Sequence, residues 1–402
     1  MKTEIVIGAN YGDEGKGHIT NFLSSPKTLN VRFNGGAQAA HAVNTNGKSH
    51  IFRHFGSGSL KGARTLLGRN MIINPIIFIE ELNDLLSKTK MCEIFIDPRC
   101  WVTTPFDMLI NEFEAKSKRR TGTCGIGINE TVTRSKFTEL RINMRDILEF
   151  NRGSLLQKLG RIKREYVPFR LSELKLSFED YERYRRDRVN TSNIEDKFID
   201  IIESMKQFIY IYPDYSLIEK FLAKDPKRNL VFEGAQGMLL DQKRKEFMPH
   251  LTRSNTGVKN AARILREVKL DIPTDVFLVS RTYFTRHGDG PIWNMIDKPY
   301  AQARDETNLT NNFQGKLRYG YLASDWLRKA KHETLEVAAR YNLDCEVRLA
   351  LTCVDQLDKP GVIKHSMAPD GKLIESRIES FSPVILSSGP NEENIKRSKT
   401  GA

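Results

Sequence analysis

The segment Gly8-Ala9-Asn10-Tyr11-Gly12-Asp13-Glu14-Gly15-Lys16-Gly17 is the part of this chain best suited to chemistry. Glycines let a backbone turn tightly and aim successive N–H groups inward. A helix starting where the turn ends adds positive potential, and Lys16 adds a point charge. Together these are the parts of a cradle for a di- or triphosphate. The spacing departs from a regular Walker A loop: Gly8 to Gly15-Lys16 is two residues longer, and Gly17 stands where Ser or Thr would hold magnesium. A glycine-rich turn can also be merely structural. Asp13 is the odd member, because a carboxylate inside a phosphate loop repels the ligand unless a cation or a proton transfer requires it. Asp13 is therefore the first catalytic candidate.

Such a loop needs a strand to enter it and a helix to leave it. Glu4–Gly8 is a short apolar run that reads as a buried strand, and 16–23 has helical character, stopped by Ser24-Ser25-Pro26. Further strands are expected at 31–33, 65–67 and 93–96, with a helix over 75–87 that starts on proline. Strands alternating with helices predict an α/β fold around a mainly parallel central sheet flanked by helices, with a P-loop-like nucleotide site. The stretch from about 137 to 225 is charged and mostly helical and reads as an insertion. Strand signals return at 230–232, 276–279, 347–351 and 384–386, with a long helix over about 322–341. No repeat or flexible linker divides the 402 residues, so one elaborated domain is expected.

Composition narrows the class. No apolar run reaches the roughly 18 residues of a membrane span, and the N-terminus shows no secretory segment, so a cytoplasmic protein is expected. Five scattered cysteines, none spaced as C-x-x-C, indicate neither a disulfide scaffold nor a zinc site. The net charge of +13 suits nucleic acid, but equally suits phosphates and a dicarboxylate as substrates. The basic stretch 151–188 is interspersed with Glu, Asp, Tyr and Leu, as solvated helix faces are, and no nucleic-acid module is visible. An NTP-binding nucleic-acid factor is thus the rival from another class.

The run Gly12–Gly17 resembles the signature loop of the adenylosuccinate synthetase family. Further segments match in the same order. Gly35-Gly36-Ala37-Gln38-Ala39-Ala40-His41 is similar to its second motif, and Arg120-Thr121-Gly122-Thr123-Cys124-Gly125-Ile126-Gly127 to its nucleotide-phosphate loop. Phe232-Glu233-Gly234-Ala235-Gln236-Gly237, followed by Leu239-Leu240-Asp241 and Thr252–Thr256, looks like its substrate block. Thr285–Pro291 resembles its glycine-proline loop, and Thr352–Asp355 with Ser387–Pro390 its guanine-recognition elements.

The resemblance implies a ligase that joins IMP and L-aspartate, using GTP and Mg2+ and passing through a 6-phosphoryl purine. It implies a catalytic role for Asp13, His41 and Lys16. Gly12, Glu14, Gly15, Lys16, Gly17, Asp355, Ser388, Gly389 and Pro390 would bind the nucleoside triphosphate. Asp13, Gln38, Thr121 or Thr123, Gln236 and Thr252 would bind the purine nucleotide. Asp13 and Ala40 would hold the metal. Members are usually homodimers in which an arginine reaches the partner's nucleotide phosphate, a place that falls on Arg134 or Lys136 here.

Three departures stand out. The second motif has Ala37 for histidine, Gln38 for asparagine and Ala40 for glycine. Cys353 replaces a lysine that packs on the guanine base, which leaves ATP as the alternative to GTP. The family's dense arginine run becomes Asn308–Gly320, where Lys316 and Arg318 remain to meet aspartate, with Arg286 as a candidate helper. Drift of this kind marks a divergent member, viral ones included. Some viral relatives act on dGMP and make a 2-aminopurine precursor, but they tend to replace the loop aspartate; the presence of Asp13 favours IMP.

Overall fold

The computed structural model describes residues 2–90, 93–118, 123–189, 193–212, 214–270, 272–304 and 315–398. A ten-stranded sheet runs through it. In chain order its strands are β1 (Lys2–Gly8), β2 (Thr28–Arg32), β3 (Arg64–Leu67), β4 (Ile94–Ile96), β5 (Tyr210–Ile211), β6 (Asn229–Gly237), β7 (Thr274–Arg281), β8 (Glu346–Thr352), β9 (Pro383–Ser387) and β10 (Ile395–Arg397). Their spatial order is β10-β9-β8-β7-β1-β6-β2-β3-β4-β5. Every pairing is parallel except that of the edge strand β10 with β9.

The strands expected from apolar runs are present; most extend further than expected, while the one expected at 93–96 covers Ile94–Ile96 and the one expected at 31–33 covers Thr28–Arg32. Near-continuous apolar runs suit a sheet covered on both faces. Ile5, Ile7, Val31, Phe232 and Leu278 pack on one face against Ala261 and Ile264 of helix Lys259–Val268 and Trp326 of helix Ser324–Arg340. Val6, Val231, Phe277 and Val279 pack on the other against Ile19 and Leu23 of helix Lys16–Leu23. β1 lies between β6 and β7, strands from much later in the chain, so the loop that follows it opens where the winding order reverses. Crevices at the carboxyl ends of such strands are where open α/β sheets take ligands.

From Ile128 to Ala223 the described residues are helical except for short connections and β5. Up to Lys206 their apolar sides form one cluster with helices Pro75–Leu86 and Pro105–Lys118, including Phe78, Phe106, Leu159, Tyr166 and Ile202, while helix Ser216–Ala223 packs instead on the central sheet through Leu217, Ile218 and Phe221. Basic residues there meet carboxylates of the same region: Arg152 pairs with Asp196, Asp200 and Glu203, and Arg161 with Glu165. No helix among the described residues is long and apolar enough to cross a membrane.

Two antiparallel units were not anticipated. One is the hairpin His41–Thr45 with Lys48–Phe52. The other is a small sheet containing Tyr283–His287 and Leu317–Ala323, in which Arg286 lies directly opposite Arg318.

Candidate active site

The loop after β1 is built around a buried carboxylate. Glu14 accepts hydrogen bonds from the backbone N–H groups of Asn10 (3.0 Å) and Gly12 (2.9 Å) on one oxygen and from Lys16 Nζ (2.6 Å) on the other. A Cβ at Gly8 would stand 2.4 Å from Glu14 Oε2, and one at Gly237 only 2.1 Å from the Asn10 carbonyl, so the absence of side chains there is what lets the loop fold onto β6. Glu14 was expected to bind the triphosphate. Both its oxygens are instead engaged inside the loop, so it shapes the cradle and positions Lys16.

Asp13 takes a left-handed backbone conformation (φ 58°), and its carbonyl accepts from Arg281 Nε at 2.5 Å. Its carboxylate is partly exposed at the mouth of the loop, with Oδ2 3.5 Å from His287 Nε2. Helix Lys16–Leu23 begins directly behind, after Gly15, also left-handed at φ 90°.

His41, first residue of the hairpin, crosses over the start of that helix. A Cβ at Gly17 would lie 2.6 Å from His41 Cβ and 2.9 Å from Ser57 Oγ. The Ser or Thr of a Walker A loop is excluded there by the histidine. Nδ1 of His41 is 2.5 Å from Glu233 Oε1, and Glu233 also accepts from the Ser57 N–H (2.9 Å) and hydroxyl. Burial alone would raise the Glu233 pKa, but the Arg32 guanidinium, His41 and Ser57 hold it down at about 2. Burial lowers the pKa of His41, with Arg32 and Lys16 acting the same way and Glu233 opposing. The result is a buried, oriented imidazole backed by an ionised carboxylate. Glu233 and Ser57 carried no expected role; a lone carboxylate closing the apolar run Leu230-Val231-Phe232 was the signal, since such a charge needs buried partners.

Gln38 and Gln236 converge on Gly35. A Cβ there would be 3.7 Å from Gln38 Nε2 and 3.9 Å from Gln236 Oε1. Both amide oxygens are buried without a partner, and Gln236 holds a left-handed φ of 59°. Thr252, half-buried, donates its N–H to the Leu240 carbonyl, and Thr123 donates to Asn111 Oδ1 at 2.9 Å. Thr121 lies outside the described residues.

At the far side of the loop, Thr352 Oγ1 at the end of β8 donates to the Glu14 carbonyl at 2.8 Å. Asp355 follows on an exposed turn, and Ser388 and Pro390 are exposed after β9. The Gly389 backbone lies close enough to His18, on the helix behind the phosphate loop, to oppose the lowering of its pKa by burial. The expected triphosphate elements thus border one helix. Arg286 and Arg318 sit opposite each other, held by backbone carbonyls: Arg286 by Pro291 and His250, Arg318 by Gly288 and Gly290. Burial lowers the Arg286 pKa to about 10, and Arg318 contributes to this. Lys316 is exposed, and 308–314 lie outside the described residues.

Arg134 is a correction. It was expected to reach a partner's nucleotide, yet it is fully buried, bidentate to Asp107 (2.8 Å for both bonds) and bound to the carbonyls of Leu140 and Val102. Of the two cations considered there, Lys136 is the exposed one.

The family model described as adenylosuccinate synthetase matches residues 5–368. The adenylosuccinate synthetase of Thermoplasma volcanium is 29% identical over 393 residues, covering 95% of this chain and 83% of that protein. The enzyme of that name from Lactobacillus helveticus is 30% identical over 345 residues, 82% of this chain and 74% of its own. Among solved structures, fully ligated adenylosuccinate synthetase from Plasmodium falciparum superposes with a TM-score of 0.70 at 18% identity, covering 98% of this chain and 99% of that one. The succinoaminodeoxyadenylate synthetase of cyanophage S-2L, bound to dGMP and dATP, does so with a TM-score of 0.58 at 15% identity, covering 98% and 95%. These two likenesses speak to the fold, and the family match spans the phosphate loop, the His41 hairpin and the Glu233 strand. The chain belongs to the adenylosuccinate synthetase family of C–N bond-forming ligases.

Proposed function

We propose that this chain joins L-aspartate to C6 of IMP, driven by GTP, to give adenylosuccinate, GDP and phosphate. The observation that carries the reading is the meeting of Asp13, Lys16 and the Glu233-backed His41 around one phosphate loop. The 6-oxygen of a purine is a poor leaving group. The Asp13 carboxylate takes the N1 proton, and the 6-oxygen becomes nucleophilic. That oxygen bonds to the γ-phosphorus as the bond from γ-phosphorus to the bridging oxygen breaks, releasing GDP. Lys16, fixed by Glu14, and the N–H groups at the helix start balance charge on the transferring phosphoryl group. His41 presents Nε2 to the 6-oxygen, and Glu233 supports the imidazolium that best matches charge developing there. The aspartate amine then bonds to C6, phosphate departs, and the amine loses a proton.

Among the described residues no group of three His, Cys, Asp or Glu side chains could hold a metal. Magnesium in phosphoryl-transfer sites needs less, one or two protein oxygens with phosphates and water. The accessible Asp13 carboxylate and the main chain of exposed Ala40 fit that donor set. Bound there, the ion would neutralise phosphate charge.

Gln38, Gln236, Thr252 and Thr123 are proposed for the purine nucleotide, and Asp355 with Ser388–Pro390 for the triphosphate's guanine. Arg286, Arg318 and Lys316 are proposed for aspartate: two opposed guanidinium groups repel unless an anion joins them. A homodimer is proposed, with Lys136 in place of Arg134 as the cation that crosses; a monomeric mass during turnover would count against it.

The test offers IMP, GMP and dGMP separately with Mg2+, L-aspartate and GTP or ATP, and identifies product by mass. Adenylosuccinate from IMP is expected. Product only from GMP or dGMP would move the chain to 2-aminopurine synthesis, and no condensation by folded protein would sink the ligase reading.

A further inference from the structure

The last residues of two neighbouring strands reach back to the phosphate loop. Arg281 ends β7, Thr352 ends β8, and the two are partners in register. Arg281 Nε donates to the Asp13 carbonyl at 2.5 Å, and Thr352 Oγ1 to the Glu14 carbonyl at 2.8 Å. In a planar trans peptide the C=O and N–H point opposite ways. Holding the Asp13 carbonyl on the strand side therefore fixes the whole Asp13–Glu14 peptide, and with it the backbone from which the Asp13 carboxylate projects. Asp13 keeps φ 58° although it bears a side chain, a conformation that persists only where the surroundings hold it.

Arg281 is held in turn. Its Nη1 donates to the Tyr283 hydroxyl at 3.3 Å, that hydroxyl donates to Gln356 Oε1 at 2.6 Å, and Gln356 Nε2 donates to the Arg304 carbonyl at 3.1 Å. Tyr283 is fully buried in a cluster with Leu351, Leu357 and Ile363. A polar thread through apolar surroundings is costly unless its members are matched, and a matched thread admits few alternative arrangements. This one starts beside Asp355, on the turn Val354–Gln356, and ends on the main chain of Asp13. We infer that Arg281, locked in place by Tyr283 and Gln356, is a positioning residue that aims the Asp13 carboxylate at the purine. It acts through the Asp13 peptide and not on a reacting atom. This rests on the reading of Asp13 as the base.

The experiment compares the full chain with Arg281→Met, Tyr283→Phe and the double variant. Initial rates of adenylosuccinate formation are taken with each substrate varied, after thermal melts show each protein folded. Arg281→Met should lower kcat about 10- to 100-fold, the range of one hydrogen bond from a charged donor, with KM for IMP and L-aspartate within about threefold. Tyr283→Phe, which removes one neutral hydrogen bond, should lower kcat about threefold to tenfold. Because Tyr283 acts through Arg281, the double variant should fall no more than about twofold below Arg281→Met. A merely structural pair would lose stability without this split and without this coupling. An Arg281→Met variant with natural kcat, a loss confined to KM, or two losses that multiply would each overturn the inference. If Arg281→Met does not fold, an unchanged kcat in Tyr283→Phe overturns it. Any of these results in a chain that itself makes adenylosuccinate refutes the inference alone, whereas a folded natural chain that condenses aspartate with no nucleotide refutes the proposed function with it.

Discussion

Glu233→Gln keeps the side chain's volume and removes the charge behind His41. The carboxylate is fully buried, and its pKa is drawn from an ordinary 4.5 to about 2. That displacement corresponds to about 3 kcal/mol of net interaction with Arg32, His41 and Ser57. The share belonging to His41 is that of one charge-assisted hydrogen bond, about 2 kcal/mol. A glutamine N–H directed at Nδ1 also reverses the donor pattern, because the ring can then no longer donate to a carboxylate at Nδ1 while carrying positive charge. Loss of about 2 kcal/mol from the transition state lowers kcat roughly 30-fold. The interaction lies behind the imidazole and not against the ribose or phosphate, so KM for the purine nucleotide should change less than about threefold. The assay is initial-rate adenylosuccinate formation under saturating triphosphate and aspartate, at a temperature where the variant's melt shows it folded. An unchanged kcat, or a loss appearing only in KM, would refute the assignment of Glu233 as the group that orients and charges His41.

Gly17→Ala should be nearly inactive, with kcat down at least about 100-fold, because the new Cβ would meet His41 Cβ at 2.6 Å; initial rates on protein with a natural melting profile check this. Arg134→Ala should lose about 3–5 kcal/mol of stability, the cost of leaving Asp107 buried and unpaired, while retaining KM for the purine nucleotide at low temperature; urea unfolding and kinetics separate the two. Arg318→Ala should raise KM for L-aspartate at least about tenfold and leave both nucleotide KM values within about threefold, as initial rates with each substrate varied would show. Acid should unfold the chain in two stages, read by thermal melts between pH 8 and 3. Burial lowers the folded pKa values of His18, His41 and His54 below the ordinary 6.5, so the stability they contribute is intact above about 6.5 and falls as pH drops through it. Glu81 and Glu233, at about 2 against 4.5, contribute stability that is intact above about 4.5 and lost as pH falls toward 2.

Much of this was legible along the chain because the signals are local. The parallel strands announce themselves as apolar runs, since both faces of the sheet are covered, and helix Pro75–Leu86 carries its proline and its Asn74 cap in sequence. Asp13 and Lys16 were visible because the glycine-rich turn that holds them is local, Asp13 as the charge that does not belong and Lys16 as the one that does, whereas His41 was visible only through the resemblance of its motif to the family's. The antiparallel pieces were missed for different reasons. His41–Thr45 pairs with Lys48–Phe52 across the two-residue turn Asn46-Gly47, a local hairpin signal that went unread, whereas Tyr283–His287 becomes a strand only when Leu317–Ala323, far along the chain, completes its ladder. Arg134 misled because position alone cannot tell a cation that projects outward from one turned inward onto Asp107.

The same distinction explains why Glu14 and Gly17, both inside the best motif, do work that spacing cannot reveal. A phosphate loop with only glycines and a lysine would leave the N–H groups of Asn10 and Gly12 and the Lys16 ammonium without internal partners. Glu14 supplies these partners from within and so fixes the loop before any phosphate arrives. Gly17 then surrenders the hydroxyl of a Walker A loop to make room for His41, the residue proposed to reach the purine's 6-oxygen. The two departures belong together. A hydrolase needs only to hold a triphosphate and a water, but a ligase that phosphorylates a base must bring that base within bonding distance of the γ-phosphorus, and the space for it comes out of the loop itself.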